Sequence, residues 1–350
     1  MRINLSSAAW LVQMAFVVPF NPCAPELSPR LRAALPLWER TAYRPEIPDA
    51  FCSGPDWQLS CHQIFDPGRS LYLKSSNTSI LALAARRFSN GAVLLMPLDC
   101  GWCFGTTLLG PDCLDLLEEA VDEIDGPFRR TFVQLSGLEA DHGFESLVGR
   151  FKRRHAFHKY GEVIMGSASL AGGMDGFLSR RTPHFRARAR AIARKAKNSG
   201  VRFERARPKS REEASPLYER MLKIEAQSWK GRAGCGMDKS PSREYYAALL
   251  GRGAGRQAAR IIIASLDGED IGFIFGNIGG TIYRGQQFSY IVKNARLEPG
   301  NLLQLEMLQW LCEEGIERYD PGPCSGPRMQ YKCHWVDGMR AISTWLIAPQ

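Results

Sequence analysis

Three apolar runs lie almost end to end between residues 259 and 290, and their spacing constrains the fold more than any other feature of the chain. Ala259–Leu266 is followed by Asp267-Gly268, Ile271–Ile278 by Gly279-Gly280, and Thr281–Tyr290 closes the series. Asp-Gly and Gly-Gly tolerate the positive φ that tight hairpins need, so the runs predict an antiparallel meander. Beyond it, the loop Arg296–Asn301 opens a helix over Leu302–Glu314, with Leu303, Met307, Leu308 and Leu311 at helical spacing and Gly315 as its stop. Ile316–Asp320 reads as the next strand and Ala341–Ile347 as the last. Upstream, Glu212–Trp229 is expected to be helical with Leu217, Met221, Ile224 and Trp229 turned inward, and Tyr245–Leu250 is a second helical stretch.

The first 150 residues alternate in the same manner. Leu71–Lys74, Ser79–Ala84 and Ala92–Leu98 are strand-like, Leu114–Ile124 has helical spacing after Pro111-Asp112, and Phe132–Leu135 is a short buried strand. Strands interleaved with helices indicate α/β (α+β) layers. At 350 residues with 45% apolar content the chain has room for two compact units, and the expected division is 1–175 and 176–350. Ala8–Phe20 is apolar but too short to span a bilayer, and no small-residue cleavage site follows it. It reads as a first strand or a core helix, and no other segment is long enough to be transmembrane. The ten cysteines are irregularly spaced, with only Cys100-Gly-Trp-Cys103 close together. A lone pair lacks the ligands of a closed metal site, so no metal is expected, and reduced thiols fit a cytoplasmic location.

Net charge is +9, which favours anionic partners without choosing among them. The cations concentrate between Arg180 and Arg207, including Arg186, Arg188, Arg190, Arg194, Lys195 and Lys197, in a helix expected to end at Asn198-Ser199-Gly200 before a strand at Val201–Glu204. Such a run is either a solvated face or an electrostatic guide for a phosphate-bearing substrate. The junction from Tyr290 to Leu303 carries the sharper chemical signal. The first amides of a helix lack internal partners and bind phosphate readily, Gly300 permits close approach, and Arg296 adds a charge. A plain turn remains the alternative reading of that spacing.

The run Arg296-Leu297-Glu298-Pro299-Gly300-Asn301-Leu302-Leu303, then Gly315–Asp320, and finally Tyr331-Lys332-Cys333-His334-Trp335 resembles one branch of the Gcn5-related N-acetyltransferase (GNAT) superfamily. That branch includes the cellulose-biosynthesis-type acetyltransferases and is similar to the Fem-type aminoacyl-tRNA-dependent transferases. Ser228-Trp229-Lys230-Gly231 resembles the segment ending that family's first helix, and the match covers roughly residues 175–347. In the first half only Pro55-Asp56-Trp57, the strand near Leu94–Leu98 and the general layout agree.

The resemblance implies tandem GNAT-like domains, each a mixed, mostly antiparallel sheet flanked by helices, the first of them degenerate. It also implies N-acyl transfer, with acyl-CoA (acetyl-CoA or a longer acyl thioester) or an acyl carrier protein as donor and a small-molecule or peptide amine as acceptor. The donor's diphosphate would lie on Arg296, Gly300, Asn301, Leu302 and Leu303, and its thioester near Tyr290 and Ile291, where an N–H could stabilise the oxyanion. The attacking amine must be neutral. Glu225, Asp320, Tyr331 and His334 are the candidates for taking its proton. Lys332 could contact an acidic substrate or the leaving group, with Asp320 possible as its salt-bridge partner. Trp229 is a core residue or a substrate wall, and Lys230 an exposed substrate contact. Cys324 is a conceivable acyl acceptor. Transfer from charged tRNA and a non-catalytic binding module are the competing readings.

Overall fold

The computed structural model describes residues 28–99, 101–125, 130–326 and 328–350. The expected element at Ala8–Phe20 and the Cys100 half of the close cysteine pair lie outside them. The eleven strands among the described residues join in one sheet of order β1-β2-β3-β4-β11-β5-β10-β9-β8-β7-β6. From one edge come β1 (Ser70–Ser75), β2 (Ile80–Arg87), β3 (Val93–Met96) and β4 (Thr131–Leu138). From the other edge come β6 (Arg202–Ala206), β7 (Ala259–Leu266), β8 (Glu269–Gly279), β9 (Ile282–Tyr290) and β10 (Arg318–Pro323). Each series is antiparallel until its last pair, and β3/β4 and β9/β10 are parallel. The two halves meet at β5 (His155–Ser169) and β11 (Gly338–Pro349), which pair antiparallel along their lengths.

The meander is the expected one. Asp267 and Gly268 both take positive φ (52° and 83°), the conformation their hairpin requires. The two parallel pairs need crossovers, and α4 (Cys113–Asp125) and α11 (Pro299–Glu313) supply them. Helix α11 starts three residues earlier than its apolar spacing suggests, because Pro299 occupies a first-turn position where its missing N–H costs nothing. The basic run forms α7 (Pro183–Asn198), stopped by Gly200 at φ 77°.

The layers divide by face. Helix α11 packs with α6 (Gly173–Ser179) on one side of β7–β9, through Leu303, Met307, Leu308 and Leu311. The opposite side is covered by α8 (Arg211–Ala226) and α10 (Ser242–Gly255), together with α2 (Ala50–Ser53) and α3 (Pro55–Phe65) from the start of the chain. Their shared core contains Phe51, Cys52 and Trp57 beside Met221, Tyr245 and Phe275. These early helices, with α1 (Pro29–Ala42), were not legible as elements. The helix expected to run to Trp229 ends at Ala226 instead. Ser228 then caps a new turn, α9 (Trp229–Arg232), accepting from the Lys230 and Gly231 amides.

The last strand belongs physically to the first half. Ile347, fully buried, packs with Leu81, Leu95, Val133 and Leu135 over α4 and α5 (His142–Phe151). Ile347→Ala should therefore lower the unfolding free energy by about 2–5 kcal/mol in urea denaturation. A loss under about 0.5 kcal/mol, usual at a surface site, would contradict that placement.

Candidate active site

Strands β9 and β10 run parallel through only three matched positions, Ile282/Arg318, Tyr283/Tyr319 and Arg284/Asp320. Beyond these they part. Strand β10 stays with β5, its register shifting between Tyr319/Ala168 and Gly322/Gly166. Strand β9 stays with β8, but its register shifts between Phe275/Gln287 and Gly276/Gly285, leaving Gln286 as an extra residue. A bulge shifts side chains to the other face from that point on. It lets Arg284 and Gln287, three residues apart, both reach the α2–α10 side, where they contact Asp49 and Tyr246. The Gln286 carboxamide is left with both its nitrogen and its oxygen buried and without a protein partner among the described residues.

Parted strands leave main-chain groups needing partners, and two lysines supply them. On β9, Lys230 Nζ donates to the Phe288 carbonyl at 3.1 Å and to Gln287 Oε1, and pairs with Glu225 Oε1 at 3.2 Å. On β10, Lys332 Nζ donates to the Pro321 carbonyl at 2.7 Å. Glu225 is fully buried and also accepts from the Met237 amide at 3.0 Å and Ser228 Oγ at 3.3 Å. Burial lowers both lysines. It is the largest influence on Lys332, and with the neighbouring Arg284 and Lys230 it brings that group to about 7 against the pull of Cys324. For Lys230 the Glu225 carboxylate opposes the same effect.

Asp320 stands where the strands separate. Its Oδ2 accepts from Arg318 Nη2 at 2.8 Å and Nε at 3.1 Å, while Oδ1 is buried without a protein partner among the described residues. Burial pushes its carboxyl up to about 7; Arg318 opposes this and Asp49 adds to it. Across the pair, Arg284 donates to Asp49 Oδ2 at 2.9 Å, and its guanidinium lies about 6 Å from the Trp57 and Phe104 rings. The first half of the chain thus roofs the site of the second.

Several expectations are corrected by this arrangement. Asp320 pairs with Arg318 and not with Lys332. Lys230 is no exposed contact but is tied into the parting. Trp229 is not a core residue; it is 43% exposed, with the Arg328 guanidinium 4.6 Å above its ring. His334 is exposed, whereas Trp335 beside it is buried. Tyr331 packs edge-on against Phe288 and keeps one side open to water. Cys324 is buried, and burial raises its thiol, so it is no ready nucleophile. Asp49, Arg284, Gln286 and Gln287 were missed. The one signal for them was an arginine inside an apolar strand run.

At the start of α11, Glu298 adopts a left-handed conformation (φ 54°), and its carbonyl takes the Asn301 and Leu302 amides. Only the Gly300 N–H of the first turn lacks a partner among the described residues. Leu302 and Leu303 are buried, and the Ile291 amide is engaged by the Ile271 carbonyl. The expected row of free amides therefore narrows to Gly300, with the Arg296 side chain exposed nearby. A Cβ on Gly300 would lie 3.1 Å from the Phe288 ring and 3.4 Å from Tyr290. Helix α7 clasps this turn through Arg188 to Glu298 and Lys195 to the Arg296 carbonyl. Two shallow grooves of about 390 and 330 Å³ lie beside α8 and include none of Gly300, Asp320 or Lys332. Among the described residues no helix is long and apolar enough to cross a membrane.

The acetyltransferase (GNAT) domain family matches residues 183–332, from α7 to Lys332. No curated protein matches the chain in sequence. Among solved structures, FemX superposes with a TM-score of 0.62 at 11% identity, over 89% of this chain and 95% of its own. A conserved protein of unknown function from Bacteroides thetaiotaomicron VPI-5482 gives 0.61 at 9%, over 91% and 97%. L-PGS from Bacillus licheniformis gives 0.53 at 15%, over 88% and 92%. At such identities the likeness is one of fold, and it runs through both halves. The matched family segment holds the α11 turn, the parting of β9 and β10, and both lysines. Residues 183–332 match the acetyltransferase (GNAT) domain family, and the whole described chain shares its fold with the structures named above.

Proposed function

We propose that the chain moves an acyl group from a thioester donor, acyl-CoA or an acyl carrier protein, onto the amine of a small molecule or peptide. The observation that carries this reading is the parting of β9 and β10 just beyond Arg284 and Asp320, at the end of the sheet where α11 begins. A cleft between parallel strands at their C-terminal ends, beside a helix start, suits a ligand with a phosphate and an extended arm. Gly300 and Arg296 would hold the diphosphate. The donor supplies an activated carbonyl; the amine nitrogen bonds to that carbon, the C–S bond breaks, and the thiol leaves.

Asp320 is the base in this reading. Its unpartnered Oδ1 takes the amine proton, and a carboxyl near 7 suits a proton acceptor at neutral pH. In this reading Lys332 meets negative charge at the reacting centre, that of an acidic substrate or of the departing thiolate. Phe288, whose carbonyl turns to Lys230, presents its N–H on the same strand edge, as the donor to the carbonyl oxygen. In this reading the first half, described from residue 28 to residue 175, is a second GNAT-like unit without a ligand. The β3–α4 connection, the counterpart of the α11 turn, is folded around Asp99 Oδ2, which accepts from the Phe104 and Gly105 amides at 3.1 and 3.2 Å. A carboxylate of the protein stands where a phosphate would.

A second reading, aminoacyl transfer from charged tRNA, is favoured by one feature. Arg190, Arg194 and Lys197 lie along one flank of α7, exposed and without an acidic partner among the described residues. Transfer RNA binding that weakens steeply with salt would support it. Absence of tRNA binding at low salt would remove it.

Thiol release from a panel of acyl-CoAs, with calorimetry of donor binding, tests the main reading. Saturable, amine-dependent release is expected, and failure of every acyl thioester to bind or be consumed would defeat it. If Asp320 is the base, kcat/KM should rise about tenfold per pH unit below 7 and level off above, and Asp320→Asn should lose about 10²- to 10⁴-fold. An unchanged pH profile in that variant would reassign the base. The same group should mark stability. Its folded pKa lies above the unfolded value, so its contribution is complete below about pH 4 and is lost as pH rises through about 7. The stability of wild type relative to Asp320→Asn should fall across that window in urea titrations and stay flat above it.

A further inference from the structure

Charges at the parting can be matched pair by pair. Arg284 meets Asp49 at 2.9 Å, Arg318 meets Asp320 at 2.8 Å, and Lys230 meets Glu225 at 3.2 Å. Lys332 is left over. It makes its hydrogen bond to a neutral carbonyl, that of Pro321, and has no carboxylate within ion-pairing distance among the described residues. The groups that act on it are Arg284 from β9, Lys230 from α9 and the Cys324 thiol, with Cys333 beside that thiol, while the carboxylates of the wider parting are Asp49, Asp320 and Glu225. Each carboxylate among them already has its own cation. Both arginines are charged at any ordinary pH, and the Cys324 thiol is raised by burial and so stays neutral.

An ammonium withdrawn from water beside other cations is costly unless it deprotonates or gains an anion. We infer that Lys332, at the parting of β9 and β10, receives an anionic group of the substrate, a carboxylate or a phosphate, which completes the one missing ion pair. The inference rests on reading the parted strands as the reaction site. Lys332 remains reachable, being only partly buried, with Tyr331 and Met329 exposed beside it on the segment that carries it. Its low proton affinity fits the same reading, since a group near 7 is readily recharged by an arriving anion. The class of substrate that follows is an acceptor, or an acyl group, bearing a negative charge close to the reacting centre. An uncharged amine with an uncharged acyl chain would leave Lys332 unmatched.

The test needs no acyl donor, so it fails or succeeds independently of thiol release. Thermal midpoints would be compared for wild type and Lys332→Met in sodium chloride, acetate and sulfate at matched ionic strength. Acetate stands in for a carboxylate and sulfate for a phosphate, and both keep their charge between pH 6 and pH 9. Acetate, sulfate or both should raise the wild-type midpoint at least twice as far as that of Lys332→Met, and the anion responsible names the source. An equal rise in the two proteins would overturn the inference. Should Lys332→Met not fold, the wild type alone decides. Its anion-induced rise should shrink severalfold from pH 6 to pH 9, where Lys332 is neutral, and a rise independent of pH would overturn the inference equally.

Discussion

Two parallel strands that part within a sheet leave main-chain donors and acceptors without their ladder partners, and something must satisfy them. In this protein the parting follows Arg284 and Asp320. The carbonyls of Phe288 and Pro321 just beyond it each receive a lysine ammonium. Most of the site follows from that need. The lysines bring charge into a poorly hydrated place, and Glu225 answers one of them while the other has no carboxylate partner among the described residues. The bulge at Gln286 serves the same constraint, because it turns Gln287 to the side where Lys230 can reach it.

The opening is also held from outside the domain that contains it. Arg284 would be an isolated cation in the middle of an apolar sheet without Asp49, which caps α2 through the Cys52 amide and pairs with the guanidinium. Trp57 and Phe104 complete the cover, and Trp57 is itself fixed by Asp99. Breaking a buried pair by removing one partner is far more destabilising than the pair is stabilising, so Asp49 and Arg284 couple the two halves of the chain. The exchange of β11 into the first-half core couples them again at the other end.

The meander, the α11 crossover and the basic helix were legible because each has a local cause: turn residues that accept positive φ, apolar spacing, a glycine stop. The family resemblance rested on Ser228–Gly231, Arg296–Leu303, Gly315–Asp320 and Tyr331–Trp335, and the domain match covers these except residues 333–335. What escaped was non-local. Nothing in Ala50–Phe65 announces that it packs under Tyr245 and Phe275, and no pattern within β9 shows the bulge, which depends on β8. The inward placing of Trp229 failed because a serine cap at Ser228 restarts the chain direction, and the Asp320–Lys332 pair failed because Arg318 was closer to hand.

In the proposed reaction the donor lies in the parting of β9 and β10. Amide hydrogen exchange measured with and without an acyl-CoA addresses it most directly, since an arm laid between the strands must shield their open edges. Exchange should slow over residues 285–291, 298–303 and 320–324 on adding the donor. Protection confined to other parts of the chain, with these three segments unchanged, would contradict it.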